Sequence, residues 1–419
     1  MGLSERRVVI TGFGIDSPIG CSDAEVTESL KRGRHGIRRM PEWDVIPDLM
    51  TRVGGPVTGI DFMTLYPRRK RRTMGLVALF ATHATEQALR MAGIDHESER
   101  GKALLGNGRT GIAYGSTTGS SASLEEFCGP LFTQHTMRGL DSSSYLKFMT
   151  HTCAANLASV FGIRGRVIPA ISACTSGSQS IGFAYETIKA GKADMMVAGG
   201  AEELHYATAV TFDLLMATSA RFNDAPERCP RPFDTKRDGI VIGEGAGTVV
   251  LETLESARAR GAKVLAEIVG FGTNCDGLHI TAPSEDGMRG AMELALEDGR
   301  VHPSDIDYVN AHGTATEIGD IAESNATHAV FKREVPIGTQ KSYTGHTLGA
   351  CGAIELGFSL VMMREGFIAA NRNLDEVDPR CAKLGYVREV MERRPRTIMT
   401  NNFAFGGVNT SIVLRAFDE

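Results

Sequence analysis

Four segments of the chain carry residue types suited to acyl chemistry, and the first holds a thiol. In Ile171-Ser-Ala-Cys174-Thr-Ser-Gly-Ser-Gln-Ser180 the cysteine stands among small residues that leave room for a carbonyl. A thiol at a helix start faces unpaired backbone N–H groups and the positive end of the dipole, which favours the nucleophilic thiolate. Val309-Asn-Ala-His312-Gly-Thr314-Ala-Thr316 puts a histidine at the end of a strand, in a turn of small residues. Gln340-Lys341-Ser-Tyr-Thr-Gly-His346-Thr-Leu-Gly349 puts a second histidine before a helix, and Asn401-Asn-Phe403-Ala-Phe405-Gly-Gly407-Val-Asn409 is a glycine turn rich in backbone N–H groups. Either histidine alone reads as structural. Two on glycine-rich turns, together with a helix-start cysteine, point to covalent catalysis.

The surrounding elements must bring these segments together. Arg166–Ser172 is β-rich and reads as a buried strand, while Ile181, Ala184, Tyr185 and Ile188 recur at helical spacing. Cys174 therefore falls on a tight strand-to-helix turn. The order of elements repeats. Val8-Val-Ile-Thr-Gly-Phe-Gly14 is echoed by Glu267-Ile-Val-Gly-Phe-Gly272, and the helix after Cys174 by Leu348–Leu360. Each half closes on a glycine turn and a strand, Gly243–Leu251 and Phe405–Leu414. Alternating strands and helices, twice over, predict two α/β halves related by a pseudo-twofold axis. The halves are taken as residues 1–258, with the nucleophile and long insertions over 30–80 and 118–160, and 259–419, with both histidines. In this arrangement two helix N-termini converge, so Cys174 and His346 face one cavity.

With 42% hydrophobic and 23% charged residues over 419 positions, the composition is that of a soluble chain with a large core. A net charge of −5 gives no global pull toward nucleic acid or anionic membrane. Eight scattered cysteines form no CxxC pair or zinc spacing and suit a reducing cytosol. No window approaches a membrane span, and Met1-Gly-Leu-Ser-Glu-Arg-Arg7 has no signal-like character. Gly12-Phe-Gly14 opens like a dinucleotide fingerprint, but Ser17 and Pro18 follow where a third glycine is needed. Arg68-Arg-Lys-Arg-Arg72 is a cationic run in an otherwise slightly acidic chain. Alone it reads as a solvated charge run or a nucleic-acid patch; an acidic protein partner is the sharper alternative.

Ser172-Ala-Cys174, Asn310-Ala-His312-Gly-Thr, Lys341-Ser-Tyr-Thr-Gly-His346 and Phe403-Ala-Phe405-Gly-Gly-Val-Asn409 resemble the motifs of β-ketoacyl-acyl-carrier-protein synthases of the elongating type. The resemblance runs over essentially the whole chain. It implies the thiolase fold, with two pseudo-symmetric αβαβα halves in a five-layered arrangement. It also implies an acyltransferase that condenses malonyl carrier protein with a Cys174-bound acyl chain. His312 and His346 would stabilise the decarboxylation oxyanion, and the backbone N–H groups of Cys174 and Phe405 the acyl-transfer oxyanion, with Phe405 also gating the acyl pocket. Lys341 is implied as a charge partner of Glu323. Thr314 and Thr316 would contact the pantetheine arm, and Phe403 and Thr118 the substrate, with Thr118 on the turn that limits acyl depth. Arg68, Arg69 and Arg72 would dock the acidic acyl carrier protein, which then outranks nucleic acid as their partner. No cofactor of the chain's own is implied, since the carrier supplies the phosphopantetheine arm. A cytoplasmic dimer is expected, either a homodimer or a heterodimer with an inactive ketosynthase-like partner.

Within the family, Met40-Pro-Glu-Trp43, Arg166-Val-Ile-Pro169, Ala173-Cys-Thr-Ser-Gly-Ser-Gln179 and Asn401-Asn-Phe-Ala-Phe405 resemble ketosynthases of bacterial aryl-polyene pigment pathways. Ala404 in the gate loop and Glu317-Ile318 after Thr316 depart from the usual family pattern. Two other readings fit the sequence less well. A thiolase needs a second cysteine in the C-terminal glycine turn, and none follows Cys381. A non-catalytic chain-length partner lacks the nucleophile, which is present here.

Overall fold

The computed structural model describes residues 6–418. The opening residues, read above as free of a leader, lie mostly outside that range. The first strand, β1 (Val8–Asp16), is buried along its whole length. Its glycines let helix α1 (Leu76–Met91) lie directly on the sheet. A Cβ at Gly12 would sit 2.1 Å from the Ala88 carbonyl oxygen, and one at Gly14 2.0 Å from that of Ala84. The Gly12-Phe-Gly14 motif is thus a helix–sheet contact rather than a phosphate loop.

The first half continues with β2 (Thr110–Gly115), helices α2 (Ser121–Thr133) and α3 (Thr152–Phe161), and β3 (Val167–Ile168). After these come α4 (Ser176–Lys189), β4 (Met195–Glu202), α5 (Tyr206–Leu214) and β5 (Gly245–Thr253). The second half runs β6 (Ala266–Cys275), α6 (Glu285–Gly299), β7 (Tyr308–Asn310), α7 (Glu317–Phe331) and β8 (Pro336–Gly338). It ends with α8 (Cys351–Glu365), β9 (Gly385–Tyr386), β10 (Thr397–Phe403) and β11 (Val408–Ala416).

The strands join in the order β9-β8-β7-β10-β11-β6-β1-β5-β4-β2-β3. From the central β6–β1 seam outward the two halves follow the same plan. An antiparallel strand comes first, β5 in one half and β11 in the other, and parallel strands follow. The seam pairs Val8–Ile10 with Ala266–Ile268.

Helices α4 and α8 lie between the two halves of the sheet. α4 packs on β2 and β4 of its own half and on β6 and β11 of the other. α8 is buried from Cys351 to Met363 and, Glu355 and Ser359 apart, presents small or apolar residues on every side, as a helix enclosed by protein does. α1 and α3 cover the outer face of the first half, α6 and α7 that of the second. The result is five layers, α-β-α-β-α, with the starts of both central helices meeting at the middle of the molecule.

One expected element is much reduced. Of Arg166–Ser172 only Val167 and Ile168 form a strand, at the open end of the sheet. β3 pairs on one side alone, with β2, so Val167 and Ile171 each stay 44% exposed instead of entering the core. The 30–80 insertion packs inward, and its Met40, Trp43 and Leu49 join the apolar cluster around Cys174.

Candidate active site

Cys174 lies in a 3-10 turn, Ala173–Thr175, that leads into α4. Ala173 holds φ +50, a left-handed conformation uncommon for a residue with a Cβ. The turn is fixed locally. Ser176 Oγ donates to the Ala173 carbonyl at 2.7 Å and accepts the Ser172 N–H at 2.9 Å. The second half repeats the device: Leu348, at φ +45, opens the 3-10 turn Leu348–Ala350 ahead of α8. Gly200 at the end of β4 permits the two starts to meet, since a Cβ there would lie 2.3 Å from Gly349 O and 2.9 Å from Gly177 Cα.

His346 precedes that second turn, and its Nε2 is 3.0 Å from Cys174 Sγ. Its Nδ1 accepts the Leu348 N–H at 3.3 Å. A neutral imidazole that accepts at Nδ1 carries its proton on Nε2, so His346 presents an N–H donor to the sulfur. His312 follows β7, with its ring 5.1 Å from that of His346 and nearly perpendicular, and 6.0 Å from Phe403. Its backbone N–H and that of Gly313 each donate to one oxygen of Glu323, both at 2.7 Å. His312 Nδ1 is buried and has no hydrogen-bond partner among the described residues.

Burial, helped by the Lys341 charge, pushes both imidazoles well below their ordinary range, so both are neutral donors. Burial also pushes the Cys174 thiol up to about 12, against the opposing pull of Lys341. Desolvation opposes the thiolate-favouring effect of the helix start at this sulfur. A ligating atom from each of Cys174, His312 and His346 lies within 4.8 Å of the others, a spacing that a metal site also shows. The Nε2 proton of His346 makes it a donor toward the sulfur and not a ligand.

A cavity of about 700 Å³ runs from this trio to the surface, past Thr314 and Thr316, Phe403 and Phe405. The two threonine hydroxyls bond each other at 2.9 Å. Phe405 packs against Phe212 of α5, ring centroids 5.6 Å apart. It is followed by Gly406 and Gly407 at φ +88 and +72, a left-handed pair that explains the two glycines.

The family model described as "Beta-ketoacyl synthase, N-terminal domain" matches residues 5–257, and "Beta-ketoacyl synthase, C-terminal domain" matches 265–375. The chain belongs to the β-ketoacyl synthase family. The 3-oxoacyl-[acyl-carrier-protein] synthase 1 of Escherichia coli K12 is 39% identical over 417 residues, covering 99% of this chain and all of that one. A β-ketoacyl synthase structure from Burkholderia phymatum is 48% identical, with a TM-score of 0.94 over 99% of this chain and all of that one. A type II polyketide acyl carrier protein in complex with its ketosynthase gives 29% identity and a TM-score of 0.89, covering 99% of this chain and all of that one. These neighbours carry the thiolase fold to the synthase described here.

Three of the residues assigned by resemblance are placed differently by the structure. Lys341 Nζ pairs with Glu355 Oε1 at 2.5 Å, both side chains fully buried, and not with Glu323. The oxygens of Glu323 are already taken by the two amides, while Glu355, one turn into α8, faces the short helix Lys341–Thr344. Lys341 acts on Glu323 through space only, and burial pushes that carboxyl up to about 8. Thr118 is exposed and does not line the cavity. Its neighbour Thr117 turns inward, bonding Glu202 Oε2 through its N–H and its hydroxyl.

In the basic run, Lys70 is held by Glu86 at 2.6 Å and Arg71 by the Tyr66 carbonyl. Arg68, Arg69 and Arg72 are left exposed. Sequence reading missed Glu202, which also accepts the Gly349 N–H at 3.0 Å and so ties the second turn to the first half. It also missed Cys351, whose thiol donates to the Cys174 carbonyl at 3.2 Å, and Asn402, which donates to Glu355 Oε2 at 2.9 Å. Paired glutamates ending an apolar strand, Glu202-Glu203, were the available signal.

Proposed function

We propose that this synthase extends an acyl chain by decarboxylative condensation with malonyl carrier protein. The observation that carries the reading is the His346 Nε2 donor 3.0 Å from the Cys174 sulfur, with the His312 ring beside it. The sulfur attacks the acyl thioester; the C–S bond to the carrier breaks, and the carrier thiol leaves with the proton. Malonyl carrier then enters, and the carbon–carbon bond joining its carboxylate to the methylene breaks to release CO2. The electron pair passes to the thioester oxygen, between the two imidazole N–H groups. Each such donor supplies ~3–4 kcal/mol of barrier lowering in a dry site. The carbanion attacks the acyl-cysteine carbonyl, the carbon–sulfur bond breaks, a 3-oxoacyl carrier two carbons longer departs, and the Cys174 thiolate so released takes up a proton from solvent.

The exposed Arg68, Arg69 and Arg72 are the docking cations for an acidic acyl carrier protein, whose phosphopantetheine arm runs past Thr314 and Thr316. The exposed Val167 and Ile171 at the open sheet edge suit pairing with a second ketosynthase chain, so the working unit is a dimer. Among the described residues no helix is long and apolar enough to cross a membrane, and we place the synthase in the cytoplasm. The primer is a rigid, conjugated acyl chain of the aryl-polyene kind, the reading supported by Met40–Trp43 and the Ala404 gate loop.

The test is incubation with malonyl carrier and either a saturated or a polyenoyl carrier, following the mass of Cys174 and of the product. Two-carbon extension is expected, with the polyenoyl primer preferred. Equal or better extension of saturated chains would remove the polyene reading, and no acylation of Cys174 with either would remove the condensing one.

A further inference from the structure

The cavity mouth holds a guanidinium that the reaction as described does not use. Arg221 lines the mouth and is exposed. Its Nη2 is anchored by two backbone carbonyls, Lys236 at 3.1 Å and Arg237 at 2.8 Å. The nearest carboxylate, Asp238, lies 3.8 Å from Nε and is already bonded by the Ser219 hydroxyl and by the Ala220 and Arg221 amides. Nη1 donates to no group among the described residues.

The other guanidinium lining the cavity is committed, and two further carboxylates line it too. Arg237 is buried and bonds Asp378 and the carbonyls of Thr316 and Glu317. Asp276 accepts the Leu278 N–H at 3.1 Å, and Glu317 pairs with Arg380. What remains at the mouth is one fixed cation with unused donors. It is linked through Arg237 to the backbone of Thr316, beside the start of α7, where no side chain caps the helix. That combination suits an anion with several acceptor oxygens.

We infer that Arg221 binds the phosphodiester of the carrier's phosphopantetheine arm and so sets the depth to which the thioester enters. The assignment rests on the condensing reading above. A pre-anchored guanidinium loses little freedom on meeting a phosphate, and its free N–H pair forms charge-assisted bonds.

The test compares malonyl-phosphopantetheine with malonyl-pantetheine, two substrates that differ by the phosphate alone, as extenders of acylated enzyme. In Arg221→Ala the ratio of kcat/KM for the phosphorylated over the unphosphorylated substrate falls about tenfold or more. In Arg221→Lys, which keeps the charge but loses the planar fork, it falls by less. A ratio that stays at the parent value in Arg221→Ala overturns the assignment, even if both rates drop together. Failure of the parent enzyme to use either substrate or malonyl carrier would instead overturn the condensing reading itself.

Discussion

Removing the sulfur and removing an imidazole should break different steps, because the two kinds of group meet different atoms. Cys174→Ala leaves His312 and His346 in place as neutral donors, so the variant is expected to release CO2 from malonyl carrier while forming no acyl-enzyme and no condensation product. Labelled CO2 release beside intact-protein mass checks this; a variant that neither binds acyl groups nor decarboxylates would contradict the division of labour. His312→Ala should show the converse. Acylation of the sulfur, which His346 Nε2 contacts, survives, and malonyl decarboxylation falls ~10²–10³-fold for the loss of one oxyanion donor. Equal losses in both half-reactions, measured separately, would show that His312 acts on the nucleophile instead.

At the scale of elements, the site depends on how closely the starts of α4 and α8 approach across β4. Gly200→Ala puts a methyl carbon 2.3 Å from the Gly349 carbonyl, and neither backbone can give way without moving Cys174 or His346. The variant should lose roughly 1–3 kcal/mol of stability, the usual cost of overpacking, with a larger proportional loss of Cys174 acylation. Denaturant unfolding and acylation rates test it, and a stable, fully active variant would show that the two turns are not rigidly coupled.

The turns themselves were legible in the sequence because they are local: small residues around Cys174, His312 and His346 are needed wherever backbone approaches backbone. The repeat of elements was legible for the same reason. What escaped was non-local. Glu323 and Glu355 both sit on helices, and only packing decides that the second faces Lys341. Val167 reads as core because it is β-branched, yet its strand has a single neighbour. Thr118 stands one position from a threonine that does turn inward, and a one-residue offset in a turn reverses the direction of a side chain.

Across the whole molecule the buried charges of both halves act on one quantity, the pH dependence of stability. Burial pushes Glu202 and Glu244 up to about 7 and Glu323 to about 8, from an ordinary 4.5. The folded chain therefore holds protons that the unfolded chain has released, and stability falls as pH rises through that window. His312 and His346 act in the opposite sense and only below 6.5, where the unfolded chain takes up protons that the folded one refuses. Between pH 6.5 and 8.5 the carboxyls outweigh these imidazoles, which oppose them only near the lower end, and the expected loss is on the order of 3 kcal/mol, at about 1.4 kcal/mol for each unit of pKa displacement. Glu202→Gln isolates one contribution, because the donors from Thr117 and Gly349 all meet Oε2 and an amide oxygen can accept them in its place. Urea unfolding at a series of pH values should give a shallower decline for Glu202→Gln between pH 6.5 and 7.5 than for the parent. If the parent gains stability over that range, or the variant follows the parent's slope, then these carboxyls are ionised in the fold and the donors around them outweigh burial.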